Sequence, residues 1–226
     1  MAETSNRTVS LTPDLVWRHA LLLANDQGLE RLTMRKLAGQ MQVAPMSLYV
    51  YFSSKDELYD RMTDHAIDML ELPGATGSSW QGSIVAAMGA FRRLLLRNPA
   101  VVEVLARRRV LTRSVGIARL VERILESLQV ADFDEDDAVE TFRLAITFTL
   151  GYVTYERRRL PDDTDGPDHQ QVTKDLREIA TDRGFDLVHR SADKIARASY
   201  RDNFELGLTA LLDGLDARYH RGDQPG

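Results

Sequence analysis

The stretch LTMRKLAGQMQVAPMSLYVYFSSKDELYDRM, Leu32–Met62, decides how this chain is read. Met34, Leu37, Ala38 and Met41 recur three and four residues apart, the period of one helix face. Thr33 is a suitable N-cap for that helix, which runs to about Gln42. A short break at Val43–Ala44 follows, and Pro45 opens a very short helix, PMSLYVYF. Ser54 caps the next helix, with Glu57 three residues later as a capping box requires. That helix continues through Leu58, Met62, Ala66 and Met69.

Two helices joined by a tight turn, the second short and rich in Ser, Tyr and small residues, fit a helix-turn-helix. Leu37, Ala38, Met41, Val43, Leu48 and Phe52 are spaced to hold the pair together. Pro45, Met46, Ser47, Tyr49, Val50 and Tyr51 are then expected to face outward. Two tyrosines and a methionine are unusual on a solvated face, and a DNA groove accounts for them. Tyrosine hydroxyls bond phosphate oxygens, and Met46 or Val50 suits a thymine methyl. Thr33 and the helix N-terminus behind it suit a phosphate. Arg35 is placed for a guanine edge or a phosphate, and Lys55 for a backbone phosphate.

Outward from this stretch, nearly every segment has helical period and strand-like alternation is almost absent, so the expected fold is all-α. Thr12, Pro13 and Asp14 start the first helix as N-cap, first-turn proline and dipole-matched acid, and Gly28 ends it. PGATGSS, Pro73–Ser79, reads as a linker. Beyond it the periodicity predicts helices near Trp80–Arg97, Pro99–Arg109, Thr112–Val130, Asp134–Arg159, Val172–Arg183 and Ser191–His220, with a polar loop at Leu160–Gln171. The expected organisation is a flexible arm over 1–11, a three-helix helix-turn-helix head within 12–72, a larger helical body for ligand binding and dimerisation over 73–220, and a disordered tail over 221–226.

The chain has 226 residues, is 43% hydrophobic, and carries a formal net charge of -5. Whole-chain charge averages away a local basic surface: Met1–Lys55 holds six Lys/Arg against four Asp/Glu. There is no cysteine, which excludes disulfides and thiolate metal sites. MAETSNRTVS lacks the apolar run of a signal peptide, and the longest apolar stretch, Ala138–Val153, is interrupted by Glu140 and Arg143. No membrane partner and a cytoplasmic location are therefore expected. His19, His65, His169, His189 and His220 lack metal-ligand spacing, and the acidic run Asp132–Asp137 lacks the glycine and final glutamate of a calcium loop. Nucleophile elbow, phosphate loop, zinc motif and dinucleotide fingerprint are all missing, so neither enzyme nor cofactor is expected.

Leu32–Met62 resembles the DNA-binding head of the TetR, or tetracycline-repressor, family. The marks are Thr33, Leu37–Ala38, Val43, Leu48–Tyr49, Phe52, Lys55 and Leu58, and the likeness runs from about Leu11 to Met69. Ser79-Trp80-Gln81, FTLGYV (Phe148–Val153) and FELGLTALLDGL (Phe204–Leu215) resemble the body of the tetracycline-repressor branch. The resemblance implies a homodimeric repressor that binds a near-palindromic operator in double-stranded DNA and is released by a small-molecule effector. It implies a four-helix dimer interface carrying Phe148, Tyr152, Phe204, Leu208, Leu211, Leu212 and Leu215. It also implies an interior effector pocket lined by Ala87, Phe91, Leu105, Val121, Val139, Phe142 and Ile146. The family's metal-coordinating histidine falls near Leu105 and its drug-binding asparagine near Ala87, neither of which supplies an oxygen or nitrogen ligand. An apolar or aromatic effector is expected instead of a metal–tetracycline complex. Repression, activation and an architectural role all use the same head, and the sequence leaves them open.

Overall fold

The computed structural model describes residues 11–74, 79–107, 114–157, 169–198 and 203–219. Most of the arm expected over 1–11 and the tail over 221–226 lie outside them. All regular structure among the described residues is helical. Helix α1 is Pro13–Gln27, α2 Met34–Met41, α3 Lys55–Asp68, α4 Trp80–Arg97 and α5 Pro99–Arg107. Helix α6 is Val115–Val130, α7 Glu135–Arg157, α8 His169–Arg183, α9 Asp186–Ala198 and α10 Phe204–Tyr219. Short 3-10 turns occupy Leu29–Arg31 and Pro45–Val50.

Caps explain several of these boundaries. Thr12, Thr33, Ser54, Ser79 and Ser114 each accept a first-turn amide in their side-chain oxygen, at about 1 kcal/mol per cap. Gly28 closes α1 at φ 85°, a conformation that costs little only without a Cβ. Gly184, at φ 71°, closes α8, and the Phe185 amide donates back to Ala180 O at 2.8 Å.

The chain packs as two compact units, 1–146 and 147–226. The division falls inside α7, so the head expected within 12–72 shares its unit with α4, α5 and α6. The reason is in the first unit's core. Val16, Leu37, Leu48, Phe52, Leu58 and Met62 from the first three helices and their connections are joined there by Ala100 and Val104 of α5. The head thus completes its apolar centre with a helix from beyond the linker.

In the second unit, Phe204 at the start of α10 stacks on Phe148 and Tyr152 of α7, with ring centroids 5.8 and 5.3 Å apart. Gly207 lets α10 approach this aromatic cluster: a Cβ there would stand 2.8 Å from Phe148 Cζ. The helix expected over Ser191–His220 is two helices, α9 and α10. Asn203, before α10, is not helical, and its amide donates to the Tyr152 hydroxyl at 2.8 Å. A single apolar period across 191–220 hid this restart, because Phe204 takes its position from Phe148 and Tyr152 and not from the preceding helix.

Candidate nucleic-acid interface

The centre of the site is the 3-10 segment Pro45–Val50. Gln42 ends α2 in the left-handed region, φ 57° and ψ 40°, and its amide donates to Ala38 and Gly39 carbonyls. The chain turns there, runs extended through Ala44, and enters the segment at Pro45, which fixes φ without losing a needed donor. Leu48 is fully buried and Phe52 nearly so. Each such side chain contributes roughly 1.5–3 kcal/mol through burial, so the segment is held from beneath. Outward stand Met46, 75% exposed, Tyr49, 48%, and Val50, 82%, with Pro45 and Ser47 exposed beside them.

Tyr51 departs from the expectation that it faces outward. It is half-buried against the head core, and its hydroxyl donates to Leu11 O at 2.8 Å. A 3-10 helix has three residues per turn, so Tyr51 follows Leu48 onto the inner side. The Tyr51 amide donates to the Leu48 carbonyl at 3.0 Å, the i to i+3 bond of that geometry. An α-helical period over PMSLYVYF misplaces this one residue.

Thr33 caps α2, its Oγ1 accepting from the Lys36 amide at 3.3 Å. Arg35 is exposed in the first turn. Lys36 reaches back to Gln27 Oε1 at 3.1 Å. Lys55 is exposed at the first position of α3, its ammonium 5.3 Å from the centroid of the Tyr59 ring, which the Tyr59 hydroxyl anchors to Leu29 O. The cap of α3 differs in detail from a capping box. Ser54 Oγ accepts from the Glu57 amide, but the Glu57 carboxylate accepts from the Ser53 amide and hydroxyl, one residue earlier. This ties down the connection between the 3-10 segment and α3.

The residues that the resemblance put in an effector pocket do not share one environment. Ala87, Phe91, Leu105 and Ile146 are buried, and Val121 and Phe142 half-buried. Val139 is 48% exposed near the start of α7, outside the core that was to enclose it. The residues assigned to the dimer interface divide too. Phe204, Leu208, Leu212 and Leu215 are buried within the single chain, so their stripe already has a partner. Phe148, Tyr152 and Leu211 are half-buried. The surface still open on the same helices mixes small, apolar and polar residues: it includes Thr147, Gly151, Thr154 and Tyr155 on α7, and Leu206, Thr209, Ala210, Asp213 and Gly214 on α10.

A further joint was not visible in the sequence. The Asp68 carboxylate at the end of α3 accepts from the Ser114 hydroxyl and the Gly116 amide, both at 2.8 Å. Arg119 of α6 donates to the Asp68 carbonyl. Gly116 lies so close that a Cβ on it would meet Ile67 O at 2.0 Å. The helix expected from Thr112 starts instead at Val115 behind the Ser114 cap, and the partner of that serine lies 46 residues away.

This arrangement has counterparts among known proteins. The chain matches the pattern of bacterial regulatory proteins of the tetR family over residues 18–62 and that of the tetracyclin repressor-like C-terminal domain over 72–219. It is 33% identical over 155 residues to an HTH-type transcriptional regulator of Saccharopolyspora erythraea, spanning 68% of this chain and 65% of that relative. It is 29% identical over 213 residues to the tetracycline repressor protein class A from transposon 1721 of Escherichia coli, covering 92% of each. The crystal structure of the TetR family protein ActR of Streptomyces coelicolor in complex with actinorhodin superposes with a TM-score of 0.79 at 26% identity, covering 93% of this chain and 98% of that one. No described helix is long and apolar enough to cross a membrane. With one match over the helix-turn-helix and a second reaching to the last helix, the chain belongs to the TetR family of DNA-binding transcriptional regulators.

Proposed function

We propose that the protein is a homodimeric repressor released from its operator by a small apolar or aromatic effector. The observation that carries this reading is the 3-10 segment, which exposes Met46, Ser47, Tyr49 and Val50 on a rigid anchor made by Leu48 and Phe52. Two such segments, related by a dimer axis, enter successive major grooves of a near-palindromic site with half-sites about 34–36 Å apart. Met46, Ser47 and Val50 meet base edges, with Arg35 at a guanine or a phosphate. Tyr49, Thr33, Lys55 and the Pro45 turn hold the backbone. Tyr51 supports the segment from within.

Dimerisation uses the exposed faces of α7 and α10, where Gly151, Tyr155, Leu206, Ala210 and Gly214 stand among polar side chains, because the buried leucines of α10 are spent inside the chain. Gly151 and Gly214 allow two copies of these helices to approach closely in a four-helix arrangement. The effector is apolar because Ala87, Phe91, Leu105 and Ile146 offer buried hydrocarbon and no metal ligand. ActR was crystallised with actinorhodin, which supports an aromatic ligand as a class. The effector acts through whatever difference in affinity it has for the DNA-bound and released states.

A mobility-shift assay on DNA upstream of the protein's own gene, followed by selection from genomic fragments, tests the core of this reading. A salt-sensitive, sequence-specific shift is expected. Its absence from both experiments ends the proposal. A reporter on the shifted promoter should rise when the gene is deleted, and a fall identifies activation instead.

A further inference from the structure

Arg18 on α1 and Arg93 and Arg97 on α4 line one groove of about 520 Å³, closed on its third side by α3. None of the three guanidinium groups makes an ion pair with a described carboxylate. Its apolar wall includes Leu22, 55% exposed, and Met69, 65% exposed, with Ala66, Ala90 and Leu94 beside them. Exposed apolar side chains beside three cations that pair with no described carboxylate form a surface complementary to an amphipathic anion.

The remaining polar groups sharpen the picture. Asn25 and Asn98 also line the groove but are engaged: Asn25 donates to Asn98 and accepts from the Ala100 amide, and Asn98 donates to Leu94 O. His65 lines it with Nε2 buried and without a hydrogen-bond partner, while its Nδ1 stands 3.9 Å from Asp14. Glu71 is the single carboxylate among the lining residues. The balance is three guanidinium groups to one carboxylate, over hydrocarbon.

We propose that this groove is a small-molecule site for an amphipathic organic anion, a compound with one carboxylate or phosphate on an apolar body. The guanidinium forks take the acidic head and the leucine and methionine side chains take the body. The site is separate from the effector pocket of the body, and it stands whether or not that pocket is occupied by an apolar ligand. Because α1 and α3 carry the head and α4 follows the linker, an occupant touches both.

Isothermal titration of the full-length protein with decanoate, decyl phosphate and decanol tests the proposal. Saturable binding of at least one anion is expected with half-saturation below about 1 mM, and decanoate against decyl phosphate tells which head group is preferred. The R93Q/R97Q variant should weaken that binding at least about tenfold. Since both side chains are exposed, its thermal midpoint and its operator affinity without ligand should match the parent. E71Q, which removes the competing charge, should tighten binding. Absence of saturable binding for both anions overturns the proposal, as does equal binding of decanol or unchanged affinity in R93Q/R97Q. Loss of operator affinity in unliganded R93Q/R97Q also overturns it, by assigning the arginines to DNA phosphate.

Discussion

The Gly116 amide donates to the Asp68 carboxylate at 2.8 Å, joining the first turn of α6 to the last residue of α3. The same carboxylate accepts from Ser114, whose hydroxyl oxygen also caps α6 by accepting from the Ile117 amide. One acid therefore holds the start of one helix against the end of another. The approach is possible only because position 116 has no Cβ.

Gly116→Ala should force α3 and α6 apart, since its Cβ would fall 2.0 Å from a backbone oxygen that cannot rotate away. A loss of about 2 kcal/mol is expected, within the range for overpacking. The thermal midpoint should drop by roughly 4–8 °C. Asp68→Ala should cost about 1–3 kcal/mol by leaving the Ser114 and Gly116 donors without their acceptor, and Asp68→Asn less. Calorimetry of the three variants checks this, and a parent-like midpoint for Gly116→Ala would contradict the close approach.

Leu48 and Val50 should separate stability from recognition. Leu48→Ala removes a fully buried anchor and should cost roughly 2–5 kcal/mol. Val50→Ala, at a residue 82% exposed, should stay within about 0.5 kcal/mol of the parent and yet weaken operator binding. Denaturant titration beside a mobility-shift assay measures both quantities.

Tyr49 and Tyr51 should behave oppositely despite their likeness in sequence. Tyr51→Phe loses the bond to Leu11 O, and should cost about 0.5–1.5 kcal/mol of stability without changing the salt dependence of DNA binding. Tyr49→Ala should leave stability intact and weaken binding to all sequences. Lys55→Ala should do the same with a salt slope smaller by about 1. Unchanged operator affinity in both Tyr49→Ala and Lys55→Ala would show that the head meets DNA by another face.

The α7 and α10 surfaces predict the oligomeric state of two variants. Gly151→Glu, on the exposed face of α7, should give a folded monomer in analytical ultracentrifugation that no longer binds its operator. Leu212→Ala, at a residue fully buried in the single chain, should instead lower the thermal midpoint while the protein stays dimeric. If Gly151→Glu stays dimeric, this face does not join two copies.

Local chemistry was enough to read much of this protein from its sequence. The caps at Thr12, Thr33 and Ser54 and the breaks at Gly28 and Pro45 depend on neighbours within four residues, and the structure puts helix ends there. Helical period likewise separated Leu48 and Phe52 from Met46 and Val50. What only tertiary structure decided were matters of distant partners and of the choice between close helical periods. Tyr51 turned inward because a 3-10 turn closes in three residues and Leu11, 40 positions away, offers a carbonyl. The stripe on α10 was plainly apolar, but an apolar stripe does not state which surface covers it, and Phe148 and Tyr152 took Phe204 within the chain. Asp68 found Ser114 and Gly116, and Ala100 and Val104 entered the head core, through contacts that no local spacing encodes. Burial is settled by the assembled surfaces, whereas caps and turns are settled by the chain's own adjacent atoms.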